Sequence, residues 1–444
     1  MDRAASVLLT IGDGAGFEVL LVERARGLVA GAWAFPGGRA KAGESLDAAA
    51  VRELEEELGI TLTPSQLRAA GRFRLSGWVV PDLEIALFTC HLEARPALRP
   101  AAEEIAQATF RRPSAILLEW REGRLLLPPS VRDALEAAAA AGVPQALAPR
   151  IGAGAYADAA PRPWNEFLHG VGLVPLRTPT LPPATHTNTY VLGTGRRRIV
   201  VDPASPWAAE QEVLDVVLDT MGVEVAEIWL THHHADHVGG AAHLQARLGA
   251  VVRAHPRTAE LLRETEPALE VDASLDDGTT VVLEGPLPMR WRAVHTPGHA
   301  PGHLVFFEEE TRAAIVGDLM AGVGTVLVSP PEGRMRDYFD SLRRLRALEP
   351  RVLFPAHGPP TARPAEHIDA YLAHRQAREE AIVEAMRAGA QTPREMVQQV
   401  YTDVPEAAWP LAECNVVAHL LKLAEEGRAV ETEGRWQLEA AHGP

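Results

Sequence analysis

Cysteine is scarce, because the 444-residue chain contains only Cys90 and Cys414. Two cysteines are too few for a disulfide framework, and they are also too few for a zinc site built from thiolates. So little cysteine suits a protein of a reducing compartment. If the chain holds a metal ion, histidine and carboxylate side chains must supply the ligands.

Long apolar runs are also lacking. No stretch of the sequence approaches the roughly 20 apolar residues that a membrane-spanning helix needs. The start of the chain, Met1–Thr10, has too short an apolar run for a signal peptide and no small-residue cleavage site. We therefore expect a cytoplasmic protein with no membrane partner, whose oligomeric state the sequence leaves open.

Positive charge is the third shortage. The chain has 43 lysine and arginine residues against 59 aspartate and glutamate residues, which gives a formal net charge of -16 at pH 7. Such a charge repels polyanions at long range, so the whole molecule is not built as a clamp for nucleic acid. A local basic patch is still compatible with this balance.

The composition contains enough apolar material for several cores, because 47% of the residues are hydrophobic. Residues 1–145 mix strand-like runs with helical stretches, and an alanine-, glycine- and proline-rich segment suggests a linker at 146–163. Residues 164–362 contain short apolar runs separated by loops rich in histidine, glycine and aspartate. Residues 363–444 are mostly helical and close with a β-ribbon. The predicted fold class is therefore multidomain α/β.

The densest cluster of candidate metal ligands begins at His232, which opens an H-x-H-x-D-H array after an apolar run. Alternate side chains of an extended segment point the same way, so His232 and His234 can hold one ion while His233 points aside. Asp236 and His237, near the start of the following helix, can reach a second ion. Zinc prefers imidazole and carboxylate ligands, and manganese or iron tolerates the same set.

Three further candidates lie after apolar runs or in glycine/proline turns: His299 in Thr-Pro-Gly-His, Asp318 in Val-Gly-Asp and His357 in Pro-Ala-His-Gly. In this order and at these separations, the motifs resemble the metallo-beta-lactamase superfamily, especially its glyoxalase-type thioesterases and RNA-processing members. The segment Thr187–Tyr190 and the later Asp202 are similar to the opening strands of that family.

This resemblance implies a four-layer αββα sandwich with two metals at one edge, bridged by Asp318. The implied ligands of one metal are three histidines, His232, His234 and His299. The implied ligands of the other metal are Asp236, His237 and His357. Two metals roughly 4 Å apart can activate a bridging water and polarise the scissile bond, so the predicted reaction is hydrolysis by a metal-bound hydroxide that Asp236 orients. Three other histidines are expected to support the site or the fold rather than to bind metal: His186, His295 and His303.

A second motif lies near the front of the chain, where Gly38 and Glu44 precede an acidic helix predicted over Leu46–Leu58. Glu53, Glu56 and Glu57 occupy positions i, i+3 and i+4, so their carboxylates share one face, and Arg52 can orient them by ion pairing. Such crowding of negative charge is costly unless a cation is bound, and Mg²⁺ or Mn²⁺ suits all-oxygen ligands. A solvated acidic helix face is the competing interpretation.

With Leu54, Gly59 and Ile60, these residues fill every fixed position of the Nudix box, and residues 3–145 resemble Nudix hydrolases. The resemblance implies cleavage of a nucleoside diphosphate linked to another group. The motif at Trp33–Gly38 and the later Leu127–Ser130 are similar to the coenzyme A diphosphatase branch, although the spacing after Arg24 is shorter than in that branch.

The C-terminal segment resembles a winged helix, with helices after Thr392 and up to Gly427 and an apparent wing over Arg428–Leu438. Together with Tyr371–Arg375, it is similar to the tail of the beta-lactamase-like endoribonucleases, which raises RNA as a candidate substrate. Between residues 363 and 442, however, eight basic residues face fourteen acidic ones. A winged helix that grips phosphates has a basic face, so packing or dimerisation is the favoured role.

The combined prediction is a metal-dependent hydrolase with a binuclear centre, for which zinc is the expected metal, and a separate Nudix site. The expected substrates are a thioester or phosphodiester at the first site and a nucleoside diphosphate derivative at the second. Acyl-coenzyme A contains both kinds of bond, so one metabolite can serve both sites. Two alternatives are an endoribonuclease acting on single-stranded RNA and a nucleotide-sensing regulator that binds DNA.

Overall fold

The computed structural model describes residues 2–27, 29–75, 82–152 and 163–439. The fold is multidomain α/β, as predicted. None of the helices in these ranges combines the length and the apolar character that crossing a bilayer requires.

The first domain is built on a seven-stranded mixed sheet flanked by helices. Its strands are β1 (Asp2–Ile11), β2 (Glu18–Arg24), β3 (Trp33–Ala34), β4 (Gly37–Arg39), β5 (Arg68–Leu75), β6 (Leu83–Leu92) and β7 (Ile105–Arg111). Its helices are α1 (Leu46–Leu58), α2 (Pro113–Arg121), α3 (Pro129–Ala141) and α4 (Leu147–Gly152). The strand order is β3-β2-β1-β6-β5, with β4 paired to β1 and β7 paired to β2. The parallel pairing of β1 with β6 places the start of the chain at the centre of this sheet.

Helix α4 lies inside the segment that the sequence suggests as a linker. Leu147 and Ile151 are each 1% exposed and pack into the core of the first domain. The residues at 153–162 lie outside the described ranges. The first part of the expected linker, up to Gly152, therefore belongs structurally to the first domain.

The central domain contains two sheets packed face to face. The first has the strands β8 (Asn165–Leu168), β9 (Val171–Arg177), β10 (His186–Leu192), β11 (Arg197–Val201), β12 (Glu224–Trp229), β13 (Val251–Ala254) and β14 (Ala273–Ser274). The second has β15 (Thr280–Leu283), β16 (Met289–His295), β17 (Leu304–Glu308), β18 (Ala313–Gly317) and β19 (Val352–Pro355). In both sheets the strands adjoin in sequence order.

The helices of the central domain cover the outer faces of the two sheets. They are α5 (Ala208–Met221), α6 (Ala235–Val238), α7 (Ala241–Leu248), α8 (Pro256–Thr265) and α9 (Met335–Ala347). Strand β11 illustrates the layering, because Ile199 and Val201 face the core between the sheets while Val200 packs against the helices. Side chains of a strand alternate between its two faces, so a continuous apolar run fits a strand that is buried on both. The result is an αββα sandwich.

The C-terminal region, as far as the structure describes it, consists of three α-helices and a two-stranded ribbon. These elements are α10 (Pro364–Arg387), α11 (Pro393–Val400), α12 (Trp409–Glu425), β20 (Ala429–Thr432) and β21 (Arg435–Leu438). Helix α11 begins with a capping box in which Thr392 and Glu395 each bond the other's backbone N–H. Ile368 of α10 and Ala418 of α12 join the core formed by α9 and the second sheet.

The first and central domains share one hydrophobic core. Ala4, Ala32 and Leu83 of the first domain belong to the same buried cluster as Phe167 and the residues between the two central sheets. The Phe167 carbonyl accepts hydrogen bonds from the Leu127 N–H (2.9 Å) and from the Trp120 indole (3.0 Å). The two domains are therefore packed together as one unit.

Candidate active sites

The predicted ligands of the central domain gather at one edge of the sandwich because most of them follow a strand. The histidine array follows β12, His299 follows β16, Asp318 follows β18 and His357 follows β19. These residues are separated in sequence by up to 125 positions, yet their side chains converge in one cluster. The structure thus brings together all seven residues that the sequence predicts for this site.

Three histidines form the first group. The Nε2 atom of His232 lies 2.9 Å from Nδ1 of His234, and Nε2 of His299 lies 3.2 Å and 3.0 Å from these two atoms. Three ring nitrogens that point at one another cannot all be satisfied by hydrogen bonds among themselves, because a neutral imidazole has one donor and one acceptor. Their donor atoms suit a shared cation.

The second group contains Asp236, His237 and His357. Nε2 of His357 lies 3.6 Å from an Asp236 carboxylate oxygen. Asp318 stands between the two groups: its Oδ1 is 3.5 Å from His237 Nε2 and 3.3 Å from His357 Nε2, while its Oδ2 is 3.6 Å from His299 Nε2. One oxygen of Asp318 therefore faces each group, as a bridging carboxylate would.

Two buried atoms in this cluster make no hydrogen bond to any residue that the structure describes. They are Nε2 of His237 and Oδ1 of Asp318. An unsatisfied buried polar atom is costly, and the cost is removed when a cation binds it. The residues present therefore fit a pair of metal ions.

Hydrogen bonds outside the cluster fix the direction of three of its rings. The Leu327 carbonyl accepts from Nδ1 of His299 (2.7 Å), and the His186 carbonyl accepts from Nδ1 of His357 (3.0 Å). A carboxylate oxygen of Asp202 lies 2.8 Å from Nδ1 of His237. Each contact leaves Nε2 free to face the cluster, as such outer partners do in metal sites.

Three other histidines lie near the cluster without joining it. Nε2 of His303 accepts the backbone N–H of Asp318 (3.1 Å), so it holds the bridging residue in place. His186 acts through its backbone carbonyl, and the His295 ring stacks on His255 with centroids 4.1 Å apart.

Burial and neighbouring charges set the protonation of the cluster. Burial lowers the pKa of His299 to about 4 and holds the pKa of His232 well below its usual range. Burial alone would raise the pKa of Asp318, but His357 and His237 keep it well below its usual range. At neutral pH, His232 and His299 are therefore neutral and Asp318 is ionised, which are the forms that bind a cation.

One contact of the histidine array was not expected from the sequence. The ring of His233 turns away from the cluster, as predicted, but its Nε2 lies 3.0 Å from a carboxylate oxygen of Glu332. The same oxygen lies 3.8 Å from Nε2 of His234. Glu332 precedes α9, and no motif marks it in the sequence.

A cavity of about 160 Å³ opens over the cluster. Its floor contains Asp236 and Asp318, and its walls are formed by two loops, 179–184 and 321–327, of mainly apolar residues such as Leu181 and Val326. Among the described residues that line the cavity there is no lysine or arginine. The walls therefore suit an apolar group better than a chain of phosphates.

The Nudix box of the first domain contributes to a second cluster of side chains, and this cluster is acidic. Carboxylate oxygens of Glu53, Glu57 and Glu104 lie within 4.8 Å of one another. Burial raises the pKa of Glu57 to about 7, although Arg24 acts in the opposite direction, and Glu57 also accepts the Gly37 N–H (2.9 Å). Glu104 is absent from the sequence prediction because it lies before β7, far along the chain from α1.

Glu56 does not join this group. Its carboxylate pairs with Arg52 (2.7 Å), one helical turn earlier, and with Lys41 (3.5 Å), and its side chain is 53% exposed. Arg52 also bonds Glu53 (2.7 Å) and Glu44 (2.8 Å), so it orients the acidic residues as predicted from their spacing. The role of Glu56 as a metal ligand stays a prediction.

A cavity of about 380 Å³ adjoins the Nudix box. Gly37 and Gly38 lie on its wall beside the acidic cluster, and most of its other lining is apolar, including Leu83 and Val131. Phe167 of the central domain closes part of this cavity. The pocket of the first domain is thus completed by a residue of the second.

The fold and these two sites define a multidomain metal-dependent hydrolase. Residues 182–357 match the model of the metallo-beta-lactamase superfamily, residues 1–127 match the NUDIX domain, and residues 392–436 match the beta-lactamase associated winged helix domain. The chain belongs to the metallo-beta-lactamase superfamily. A Nudix domain precedes its metallo-beta-lactamase domain, and a winged helix follows it.

Two relatives illustrate the range of similar proteins. The beta-lactamase-like protein 2 homolog of Caenorhabditis elegans is 31% identical over 243 residues, which cover 54% of this chain and 79% of the relative. The atrochrysone carboxyl ACP thioesterase AacuM of Aspergillus aculeatus is 34% identical over 172 residues, which cover 39% of this chain and only half of the relative.

Two solved structures support the fold. The crystal structure of a metallo-beta-lactamase family protein from Thermus thermophilus superposes with a TM-score of 0.52 at 27% identity, covering 61% of this chain and 99% of that one. A beta-lactamase domain protein from Burkholderia ambifaria gives a TM-score of 0.55 at 22% identity, covering 64% of this chain and 96% of that one.

Proposed function

We propose that the central site is a binuclear metal centre that hydrolyses a thioester or ester of an apolar acyl group. One ion would be held by His232, His234 and His299. The other ion would be held by Asp236, His237 and His357, and both ions would be held by Asp318. A pair of divalent cations bound there would activate water and polarise the carbonyl of the substrate. Zinc is the proposed metal, because the donor set of five histidines and two carboxylates suits it.

The observation that carries this proposal is the chemistry of the cavity above the cluster. Its walls offer proline, leucine, valine and alanine side chains and no described lysine or arginine. A polyanionic substrate such as RNA gains most of its affinity from cationic side chains, whereas an acyl group gains it from apolar contact. The resemblance to a protein named as an ACP thioesterase points to the same bond type.

For the first domain we propose a separate Mg²⁺- or Mn²⁺-dependent site for a nucleoside diphosphate derivative. Glu53, Glu57 and Glu104 offer an all-oxygen ligand set of the kind that hard cations prefer. The adjoining apolar cavity would hold the group linked to the diphosphate. A coenzyme A derivative is one such substrate.

Two substitutions separate the sites. With acyl thioesters and Zn²⁺, His234→Ala should lose more than about 100-fold in kcat/KM, while hydrolysis of nucleoside diphosphate derivatives with Mg²⁺ is unchanged. Glu57→Gln should give the opposite pattern. The matched controls are His243→Ala, a half-exposed histidine of α7, and Glu55→Gln, an exposed position on the same helix as Glu57.

Two results together would favour the endoribonuclease alternative over the acyl proposal. Zinc-loaded wild-type protein would hydrolyse neither thioesters nor esters, and it would cleave single-stranded RNA in a reaction that His234→Ala abolishes. Loss of both activities in both variants would contradict the assignment of two independent sites.

A further inference from the structure

Helix α10 of the C-terminal region reaches the loops that wall the central cavity. His367, Tyr371 and Arg375 follow one another at intervals of four residues and therefore lie along one face of the helix. The Tyr371 hydroxyl accepts the Ala321 N–H (3.0 Å) and also contacts the Ala321 carbonyl (3.2 Å), which lies 3.2 Å from Nε2 of His367. Ala321 is part of the cavity wall.

Arg375 extends this face to the second part of the wall, Thr325–Val328. Its guanidinium donates to the Val326 carbonyl and to the Thr325 hydroxyl (3.2 Å). It also donates to the side-chain oxygen of Asn415 on α12 (3.2 Å), and the same oxygen accepts the Val328 N–H (3.0 Å). The two residues thus bond the wall segment on both sides of Leu327.

Leu327 connects this wall to the metal cluster. Its carbonyl accepts the hydrogen bond that orients His299 (2.7 Å). A shift of the segment would move both that acceptor and the apolar side chains of the cavity. The position of one proposed metal ligand therefore depends on residues from the C-terminal helices.

The burial of Arg375 supports a specific role. The residue is only 2% exposed, and its hydrogen-bond partners in the described chain are a carbonyl, a hydroxyl and an amide, without a carboxylate. A buried guanidinium without a counter-ion costs free energy that an apolar residue of similar size would avoid. An apolar residue could not replace the guanidinium N–H groups that donate to the wall segment.

We propose that Arg375 and Asn415 are positioning residues of the central site: they hold Thr325–Val328 so that Leu327 orients His299 and the wall fits the substrate. The C-terminal region then helps to set the geometry of the central site. Because Arg375 is buried, it is not available to bind phosphates. The inference rests on the proposed role of His299 as a ligand.

The test compares four variants of the full chain. Asn415→Leu removes the shared acceptor, whereas Asn415→Asp keeps it. Arg375→Met removes the donors to the wall, whereas the control Arg378→Met removes an arginine of the same helix whose hydrogen bonds, within the described chain, go to Val400 and Asp403 of the C-terminal region. Two quantities are measured: hydrogen exchange of the amides at 325–328, and the affinity of metal-free protein for Co²⁺ from its visible spectrum.

We expect amide exchange at 325–328 about tenfold faster and Co²⁺ binding about tenfold weaker in Asn415→Leu and Arg375→Met, with values close to wild type in Asn415→Asp and Arg378→Met. If Arg375→Met does not fold, the Asn415 pair decides alone. Unchanged exchange in Asn415→Leu, or equal losses in Arg378→Met, would overturn the inference. Absence of Co²⁺ binding by the wild-type protein would instead contradict the proposed metal centre. The exchange rates would still test whether Arg375 and Asn415 hold the segment 325–328.

Discussion

At the scale of single residues, the central site depends on which nitrogen of each histidine carries the proton. Asp202 is an example, because one of its oxygens accepts the Thr231 N–H (2.7 Å) and the other lies 2.8 Å from Nδ1 of His237. The carboxylate thereby keeps the proton on Nδ1 and leaves Nε2 free for a cation.

We predict that Asp202→Asn weakens metal binding by about 10- to 100-fold. The oxygen of the new amide would stay with the Thr231 N–H, so its NH₂ group would face Nδ1 of His237 and move the ring proton to Nε2. Titration of metal-free protein with Co²⁺ or Zn²⁺ measures the effect.

A matched control exists on the surface. Asp215 pairs with His243 at 2.9 Å, and this pair lies on α5 and α7. Asp215→Asn should leave metal affinity at the wild-type value. Equal affinities of wild type and Asp202→Asn would show that Asp202 does not set the tautomer of His237.

The sequence located the residues that follow strands in compact motifs, and it missed those that join the sites through tertiary packing. The seven residues of the central cluster each lie in or beside a recognisable turn. Glu104 reaches Glu57 because β7 pairs with β2 and because the loop before β7 bonds backbone carbonyls at the end of α1. Glu332 reaches the histidine array through a loop before α9. Neither contact leaves a local pattern in the chain.

At the scale of elements, strong local signals gave accurate bounds. Helix α1 spans Leu46–Leu58 as predicted, because Ser45 caps its start and Gly59, with φ of 68°, ends it in the left-handed conformation. The two-residue strands β3 and β14 exist only because neighbouring strands pair with them. Helix α4 has only six residues, which are too few to show an apolar periodicity, so the sequence suggests a linker there.

Helices α10 and α12 are joined by a buried ionic cluster that makes stability depend on pH. Glu379 contacts Lys422 (2.9 Å), Arg428 (3.2 Å) and His419 (3.2 Å). Burial alone would raise the pKa of Glu379, but His419 and Lys422 lower it to about 2. The ionised form is therefore favoured in the folded protein.

We predict that Glu379→Gln lowers the free energy of unfolding of the C-terminal helices by about 2 to 3 kcal/mol at pH 6. The contribution of Glu379 is fully present above its unfolded pKa near 4.5 and is lost as pH falls towards 2, so wild type and variant should converge in that window. Urea unfolding at several pH values measures the difference. Glu380→Gln changes an exposed neighbouring position, so its free energy of unfolding should match that of wild type. If the difference in unfolding free energy between Glu379→Gln and wild type did not change with pH, this account would be contradicted.

At the scale of the whole molecule, the shared core predicts that the first and central domains unfold together. Phe167 is 1% exposed and lies in the core between them, so Phe167→Ala should lower the free energy of unfolding by about 3 to 5 kcal/mol. Scanning calorimetry should show one transition for both domains, shifted to lower temperature in the variant. Two separate transitions, of which only one moves, would show that the domains are thermodynamically independent.

The order of the three domains was readable from motifs, but their mutual packing was not. Apolar residues such as Ala32 and Leu83 look like ordinary core positions, and nothing in their spacing tells which neighbour will cover them. Domain contact is a property of surface shape, which local sequence patterns do not encode.

The common interior of the first two domains has a consequence for the connection between them. Since Phe167 and its neighbours are covered by side chains from before Gly152, the covalent link between Gly152 and Pro163 is not what holds the halves in place. A chain cut once in that interval should copurify as a pair of fragments, and two genes that encoded the halves separately would specify a heterodimer.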